Sequence, residues 1–159
     1  MHTTLPSGTP AYVARPPGDP AAGGSRGLVV IPDIGGLRPL FEQMASRLAA
    51  EQGWVVCVFE LWPGREHLSS LQERLDAAGS LEDARVLGDA RAAAEMTGCE
   101  HVGVVGFCMG GRFVVRAMAA YPDRLVAGSA LHPTRLRQDG DDSPHLGLER
   151  ITGRLYVGF

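Results

Sequence analysis

This sequence predicts an α/β domain on a mostly parallel sheet with helices on both faces, and three observations carry that prediction. Apolar, β-branched runs such as Leu28-Val29-Val30-Ile31 and Val55-Val56-Cys57-Val58-Phe59 do not alternate with polar residues, as expected of strands buried on both sides. Segments with 3.6-residue apolar spacing separate them, so strand and helix take turns along the chain. The run Val102-Gly103-Val104-Val105 stops abruptly at Gly106-Phe107-Cys108-Met109-Gly110-Gly111, and a helical pattern follows at once. Gly-x-Cys-x-Gly has the form of a strained strand–turn–helix elbow that lifts one side chain above the sheet edge, with small residues two positions either side where strand and helix nearly touch. The helix that follows aims free N–H groups and a partial positive charge at the sulfur, which favours the thiolate. The same residues also suit a plain tight turn around a buried cysteine.

The elements follow in order. Gly27–Asp33 predicts a buried strand between a glycine-rich approach and a Gly35-Gly36 exit. Pro39–Gln52 predicts a helix, because Phe41, Met44, Ala45 and Leu48 share one face, with Gly53 at the stop position. Trp54–Glu60 predicts a second buried strand, closed by a turn at Pro63-Gly64. Ser70-Leu71-Gln72-Glu73 has capping-box spacing, which predicts a short helix to about Ala78, before Gly79. Ser80 is the expected cap of a longer helix from Leu81 to about Thr97, with Leu87, Ala90 and Ala94 on one face and Gly98 at its end. The elbow helix places Phe113, Val114, Ala117, Met118 and Tyr121 toward the sheet and stops at Pro122. Val126–Leu131 is another strand, 137–144 a polar loop, and Arg154–Phe159 an apolar strand.

A chain of 159 residues suits one domain with a real core, here 1–159. With 45% hydrophobic and 21% charged residues it is not a disordered chain. The net charge of −3, with dispersed basic residues, argues against a nucleic-acid partner. No apolar run reaches the ~18–20 residues of a bilayer span. The start, Met1-His2-Thr3-Thr4-Leu5-Pro6, lacks a signal-peptide pattern, and three cysteines point to free thiols in a reducing compartment, so the expected location is the cytoplasm. No Cys/His spacing fits a metal site.

In a parallel sheet, ligands gather at the C-terminal strand ends. Those ends carry Asp33-Ile34-Gly35-Gly36, Glu60-Leu61-Trp62, Cys108 and His132-Pro133, so four polar or reactive groups converge on one rim. Cys57 and Cys99 read instead as packing thiols. Arg112, one helical turn after the elbow, is expected to face solvent.

With those residues in view, the sequence resembles the dienelactone hydrolases of the α/β-hydrolase superfamily. The resemblance rests on Gly106-Phe107-Cys108-Met109-Gly110-Gly111 and on Val29-Val30-Ile31-Pro32-Asp33-Ile34-Gly35-Gly36-Leu37. Ala11-Tyr12-Val13-Ala14-Arg15-Pro16 and Phe59-Glu60-Leu61-Trp62-Pro63-Gly64 support it. Correspondence runs in order from about Tyr12 to Phe159. The resemblance implies an α/β-hydrolase-like fold and a hydrolase of lactones or activated esters. Cys108 would be its nucleophile, forming an acyl-thioenzyme, with backbone N–H groups of Ile34 and Met109 as the oxyanion hole. Asp33 stands where family members usually carry a glutamate that contacts the resting cysteine. Trp62 and His132 read as substrate-pocket residues or as plain strand-end residues, and Arg74 as either one of the arginines with which the family recognises a substrate carboxylate or a solvated helix-face residue. The resemblance implies a small-molecule lactone or ester as partner and no cofactor.

The family's acid follows the strand resembling Arg154–Phe159, and its histidine lies further on, so the chain reads as roughly the first two-thirds of a family member, without the last strands and helix. The uncovered sheet edge then offers itself for oligomerisation. His132 is the one histidine placed at the rim, where it would stand in as base; His101 starts the elbow strand, His67 and His145 sit in connecting segments, and His2 lies in the tail. Two further readings stand beside the hydrolase: an inactive fragment or interaction module, and a thiol redox protein using Cys108.

Overall fold

The computed structural model describes residues 1–18, 26–65 and 67–159. Seven strands form one sheet: β1 His2–Thr4, β2 Pro10–Ala14, β3 Arg26–Ile31, β4 Val55–Phe59, β5 His101–Phe107, β6 Leu125–Leu131 and β7 Arg154–Gly158. Their order across the sheet is β1-β2-β4-β3-β5-β6-β7. From β4 to β7 every neighbouring pair is parallel, while β1 and β2 join as antiparallel edge strands. Four helices connect them: α1 Pro39–Gln52, α2 Leu71–Ala77, α3 Asp83–Thr97 and α4 Met109–Ala120. The predicted mostly parallel α/β architecture is therefore the observed one.

The alternation of side chains along each strand divides the core into two layers. Val29, Ile31, Cys57, Phe59 and Val104 face α3 and α4, whereas Val30, Val56 and Val58 face Phe41, Ala45 and Ala49 of α1. Chain order explains this sorting. The β3–α1–β4 crossover moves one way across the sheet, and β4–α3–β5 and β5–α4–β6 move the other. Right-handed crossovers running in opposite directions must lie on opposite faces. Beyond α1, the same face over β5 and β6 carries an open apolar groove of about 670 Å3, bordered by Leu28, Met44, Leu48, Trp54, Val105 and Phe107.

Local signals set most helix ends. α1 spans the predicted residues and closes on Gly53, which is left-handed at φ 69° and donates its N–H to the Ala49 carbonyl. Gly98 closes α3 in the same way, at φ 69°. The Ser70–Glu73 capping box is formed in both directions, and α2 runs into a short 3₁₀ turn, Ala78–Ser80. The expected start of α3 is corrected: Ser80 does not cap it, because its hydroxyl donates to the Ala77 carbonyl and accepts from Arg65. The helix begins at Asp83, and its buried stripe is Val86, Ala90, Ala93, Ala94 and Thr97, with Leu87 only partly covered. The first long strand ends at Ile31 rather than Asp33, which leaves Pro32 and Asp33 in the loop. The glycine-rich approach at 23–24 lies outside the described residues.

Two elements went unread in the sequence. β1 and β2 form a hairpin, so His2 belongs to a strand rather than a tail; its ring meets Tyr12 edge-on at 5.2 Å. That hairpin is tied to α3 through Asp89, only 1% exposed, which accepts from the Ser7 hydroxyl at 2.5 Å, the Thr9 hydroxyl at 2.8 Å and Arg85 at 2.7 Å. Arg85 also donates to the Leu61 carbonyl at 2.6 Å, so one carboxylate links the hairpin, α3 and the end of β4. Replacing Asp89 with Ala strands the buried Thr9 hydroxyl and the half-buried Arg85 guanidinium, and frees the exposed Ser7 hydroxyl. Urea unfolding of the variant is expected to show a loss of about 2–3 kcal/mol; a loss within experimental error would mean that the network contributes nothing to stability.

Candidate active site

The site is built where three backbones converge. Cys108 sits between β5 and α4 with φ 52° and ψ −113°, a left-handed-side conformation rare for a residue with a side chain and costing roughly 1–3 kcal/mol. The surroundings enforce it. Its N–H donates to the Leu131 carbonyl at 3.0 Å, and its carbonyl accepts from Gly111 at 3.0 Å and from Thr134 at 3.2 Å. A Cβ on Gly106 would run into the Gly110 carbonyl group and stand 2.8 Å from Val114, and a Cβ on Gly110 would strike the carbonyl oxygens of Ile31 and Pro32. Both glycines are therefore required by close backbone approach. The bend holds the half-exposed Cys108 at the rim and points the N-terminus of α4 at that position.

Selection among the thiols follows from burial. All three cysteines are free, Cys57 and Cys99 are buried, and burial pushes the Cys57 thiol up to about 12. Cys108 is the one half-exposed cysteine.

The β3–α1 loop, residues 32–38, stands opposite, and side chains hold five of its backbone polar groups. Gly35 N–H donates to Asp33 Oδ1 at 2.7 Å, an Asx turn, and Gly36 N–H to the Asp33 carbonyl at 3.0 Å. Leu37 N–H donates to Glu60 Oε2 at 3.0 Å, while Glu60 Oε1 also accepts from Trp62 N–H at 2.8 Å. The Ile34 carbonyl accepts from the Trp62 indole at 2.8 Å and from Arg74 Nη1 at 3.3 Å; Arg74 Nη1 also donates to the Gly35 carbonyl, and Arg74 Nε to the Leu68 carbonyl at 2.9 Å. Among the described residues the Ile34 N–H has no acceptor within the chain. The Met109 N–H, first in its helix, has no intrahelical partner either. These are the two N–H groups expected at an oxyanion hole.

Asp33 is placed at the rim, but its carboxylate is committed elsewhere. Arg38 grips it with two parallel bonds, at 2.6 Å and 2.8 Å, and Cys108 is not among its hydrogen-bond partners. The Arg38 bond holds the Asp33 carboxyl below the ordinary carboxylate range; burial opposes, and the Gly35 N–H and the charges of Arg38 and His132 add to the lowering. His132, at φ 36°, donates its N–H to the Gly158 carbonyl at 2.6 Å, and its ring is near enough to Asp33 for that charge to be felt. Trp62 is 3% exposed and uses its indole N–H on the loop. Glu60 stands among the strand-end groups expected at the rim but with no role assigned, and Arg38 is not among them. Their only signal was position, Glu60 at the end of β4 and Arg38 just before the proline that starts α1.

Arg112 corrects an expectation. It is 7% exposed rather than facing solvent, with its guanidinium 4.6 Å from the Phe113 ring, 3.6 Å from Asp83, and Nε without a partner. Burial, then repulsion from Arg135, lowers its pKa, against the pull of Asp142. The helix surface it lies on is closed by α3, whose Asp83 also pairs with Arg116.

Parallel α/β topology, a glycine-flanked elbow bearing a thiol and a facing loop with a free N–H together define an α/β-hydrolase-type domain. The sequence model of the dienelactone hydrolase family matches residues 9–149, and this chain belongs to that family. It is 31% identical over 137 residues to the hydrolase pyvD of Aspergillus violaceofuscus, covering 82% of this chain and 54% of that protein. It is 29% identical over 140 residues to the carboxymethylenebutenolidase of Rhodococcus opacus, covering 75% and 54% respectively. The chain thus spans about half the length of these curated relatives. In fold it matches a crystal structure from Klebsiella pneumoniae assigned to the dienelactone hydrolases, with a TM-score of 0.80 at 20% identity over 100% of this chain and 84% of that one. Among the described residues no helix is long and apolar enough to cross a membrane, and no cluster of three or more His, Cys, Asp or Glu side chains is poised to hold a metal.

Two outcomes test the site's physics. Gly110→Ala meets backbone that cannot move aside, so unfolding measurements are expected to show a loss of about 3 kcal/mol or more. Gly53→Ala, with open space around its Cβ, costs about 1 kcal/mol for its positive φ alone. Equal losses in the two variants would refute the close-approach argument. For Asp33, a lowered folded pKa means that the carboxylate contributes stability above the unfolded pKa and loses it as pH falls through the folded value. Asp33→Asn is therefore expected to be less stable than wild type at pH 7, with the gap closing below about pH 4. A gap independent of pH would assign the effect to shape rather than charge.

Proposed function

We propose that this protein hydrolyses lactones or activated esters of small carboxylic acids through Cys108. The observation that carries the reading is the pairing of the one half-exposed thiol, held on a strained elbow, with a facing loop whose Ile34 N–H is left without an acceptor. Family membership supports the hydrolase class.

A general base takes the Cys108 proton and later returns it to the leaving alkoxide; the sulfur attacks the carbonyl carbon, and the displaced electron pair moves to oxygen. The N–H groups of Ile34 and Met109 stabilise that oxyanion, one such donor contributing about 3–4 kcal/mol in hydrolases of this type. Collapse breaks the carbon–oxygen bond; the leaving alkoxide takes a proton and an acyl-thioenzyme remains. Water, deprotonated by a general base, then attacks the thioester and releases the acid and the thiol. The cycle needs a histidine base with an orienting acid, and the histidine at the rim of the described residues is His132. Asp33 and His132 border the substrate, while the buried Trp62 supports the loop from behind. No cofactor enters this scheme. Free thiols suit a reducing compartment such as the cytoplasm.

The test is trapping. Incubation of the full-length protein with p-nitrophenyl acetate is expected to give a burst of nitrophenol and an acetyl adduct on the Cys108 peptide by mass spectrometry. Cys108→Ala abolishes both, as well as inactivation by iodoacetamide. Turnover retained by Cys108→Ala would overturn the reading. Peroxide consumption at Cys108 without ester turnover would put a redox role in its place.

A further inference from the structure

We infer that Arg74 is a positioning residue that holds the oxyanion loop in its working shape from outside the site, an inference that rests on the Proposed function's use of the Ile34 N–H. The guanidinium is a planar fork, and here it bridges two segments. Nε donates to the Leu68 carbonyl at 2.9 Å, just ahead of α2. Nη1 reaches across to the carbonyls of Ile34 and Gly35. The Trp62 indole shares the Ile34 carbonyl at 2.8 Å, so the peptide that follows the proposed oxyanion donor is fixed from two directions.

Fixing that carbonyl matters because the Ile34 N–H lies on the other side of the same residue. A rotation that frees the carbonyl swings the neighbouring peptide planes together and turns the N–H away from the elbow. Asp33, Arg38 and Glu60 anchor the loop at Gly35, Gly36 and Leu37. Only Arg74 and Trp62 act on the Ile34 carbonyl itself.

The context of Arg74 points the same way. α2 buries no residue, and Leu71 and Leu75 are 61% and 51% exposed. With only Ala77 of α2 packed against the core, at its far end, this side chain joins the short helix to the loop. Three contacts to backbone carbonyls also occupy Nε and Nη1, so each two-nitrogen face of the fork that would grip a carboxylate already has one nitrogen engaged. A lysine has a single donor centre and does not span both segments, so charge alone does not replace the fork.

The experiment compares wild type, Arg74→Lys and Arg74→Ala in the full-length protein. It uses a neutral activated ester and one bearing a carboxylate, alongside amide hydrogen exchange of residues 33–38 and the rate of Cys108 alkylation by iodoacetamide. Both variants are expected to lower kcat about ten- to hundredfold for both esters, with KM changed by less than about twofold. Exchange rises in 33–38 but not in β5, and alkylation, which needs no oxyanion hole, keeps its rate. Unchanged exchange in 33–38 overturns the inference. So does a rise in KM confined to the carboxylate ester and restored by Lys, which would make Arg74 a substrate-binding residue. If wild type turns over neither ester, the acyl-transfer reading fails, and the exchange arm alone decides whether Arg74 holds the loop.

Discussion

The structure depends on one steric constraint, the approach of the α4 backbone to the end of β3. Gly110 lies against the Ile31 and Pro32 carbonyls, and Gly106 against Gly110, with no room for a single carbon between them. That contact sets how far α4 sinks toward the sheet, and thereby forces Cys108 into its left-handed bend. The β6 end completes the arrangement: Leu131 accepts from Cys108, and Thr134 donates back to it. Strain of a few kcal/mol at one residue persists only when the surroundings over-determine it, and here three strand ends do so. The same packing places the nucleophile-type residue, the β3 loop and His132 along one rim.

A second organising feature is that side chains, not secondary structure, satisfy the loop opposite Cys108. A buried or half-buried loop must find a partner for each polar backbone group. Asp33, Arg38, Glu60, Trp62 and Arg74 supply such partners from three segments, the loop itself, the end of β4 and α2. The Ile34 N–H is among the loop donors that no group among the described residues accepts from, and the half-buried loop leaves it open at the rim.

Local chemistry made most of the fold legible. α1 was readable to the residue because Pro39 opens it and Gly53 closes it, and the capping box at Ser70 gave α2. The elbow was readable from glycine spacing alone, since close backbone approach leaves a compositional mark. What escaped notice depends on distant partners. β1 and β2 are short, hold Pro10 and two threonines, and become strands because β4 offers an edge and Asp89 ties down their turn. Arg112 looked like a surface residue because nothing near it in sequence shows that α3 will cover it. The roles of Arg38 and Glu60 were invisible for the same reason: each acts through backbone brought near only by folding.

The charge arrangement at the rim decides how Asp33 acts. A free carboxylate beside a nucleophilic sulfur opposes its ionisation, whereas one paired with a guanidinium presents little net field. Arg38 binds Asp33 through both oxygens, and the pair stays close to neutral as seen from the elbow. What remains directed at Cys108 is then the positive end of α4, with its first N–H groups. The short reach of Asp33 is matched to Gly35 and Arg38, so it shapes the loop that carries the Ile34 N–H rather than reaching across the rim.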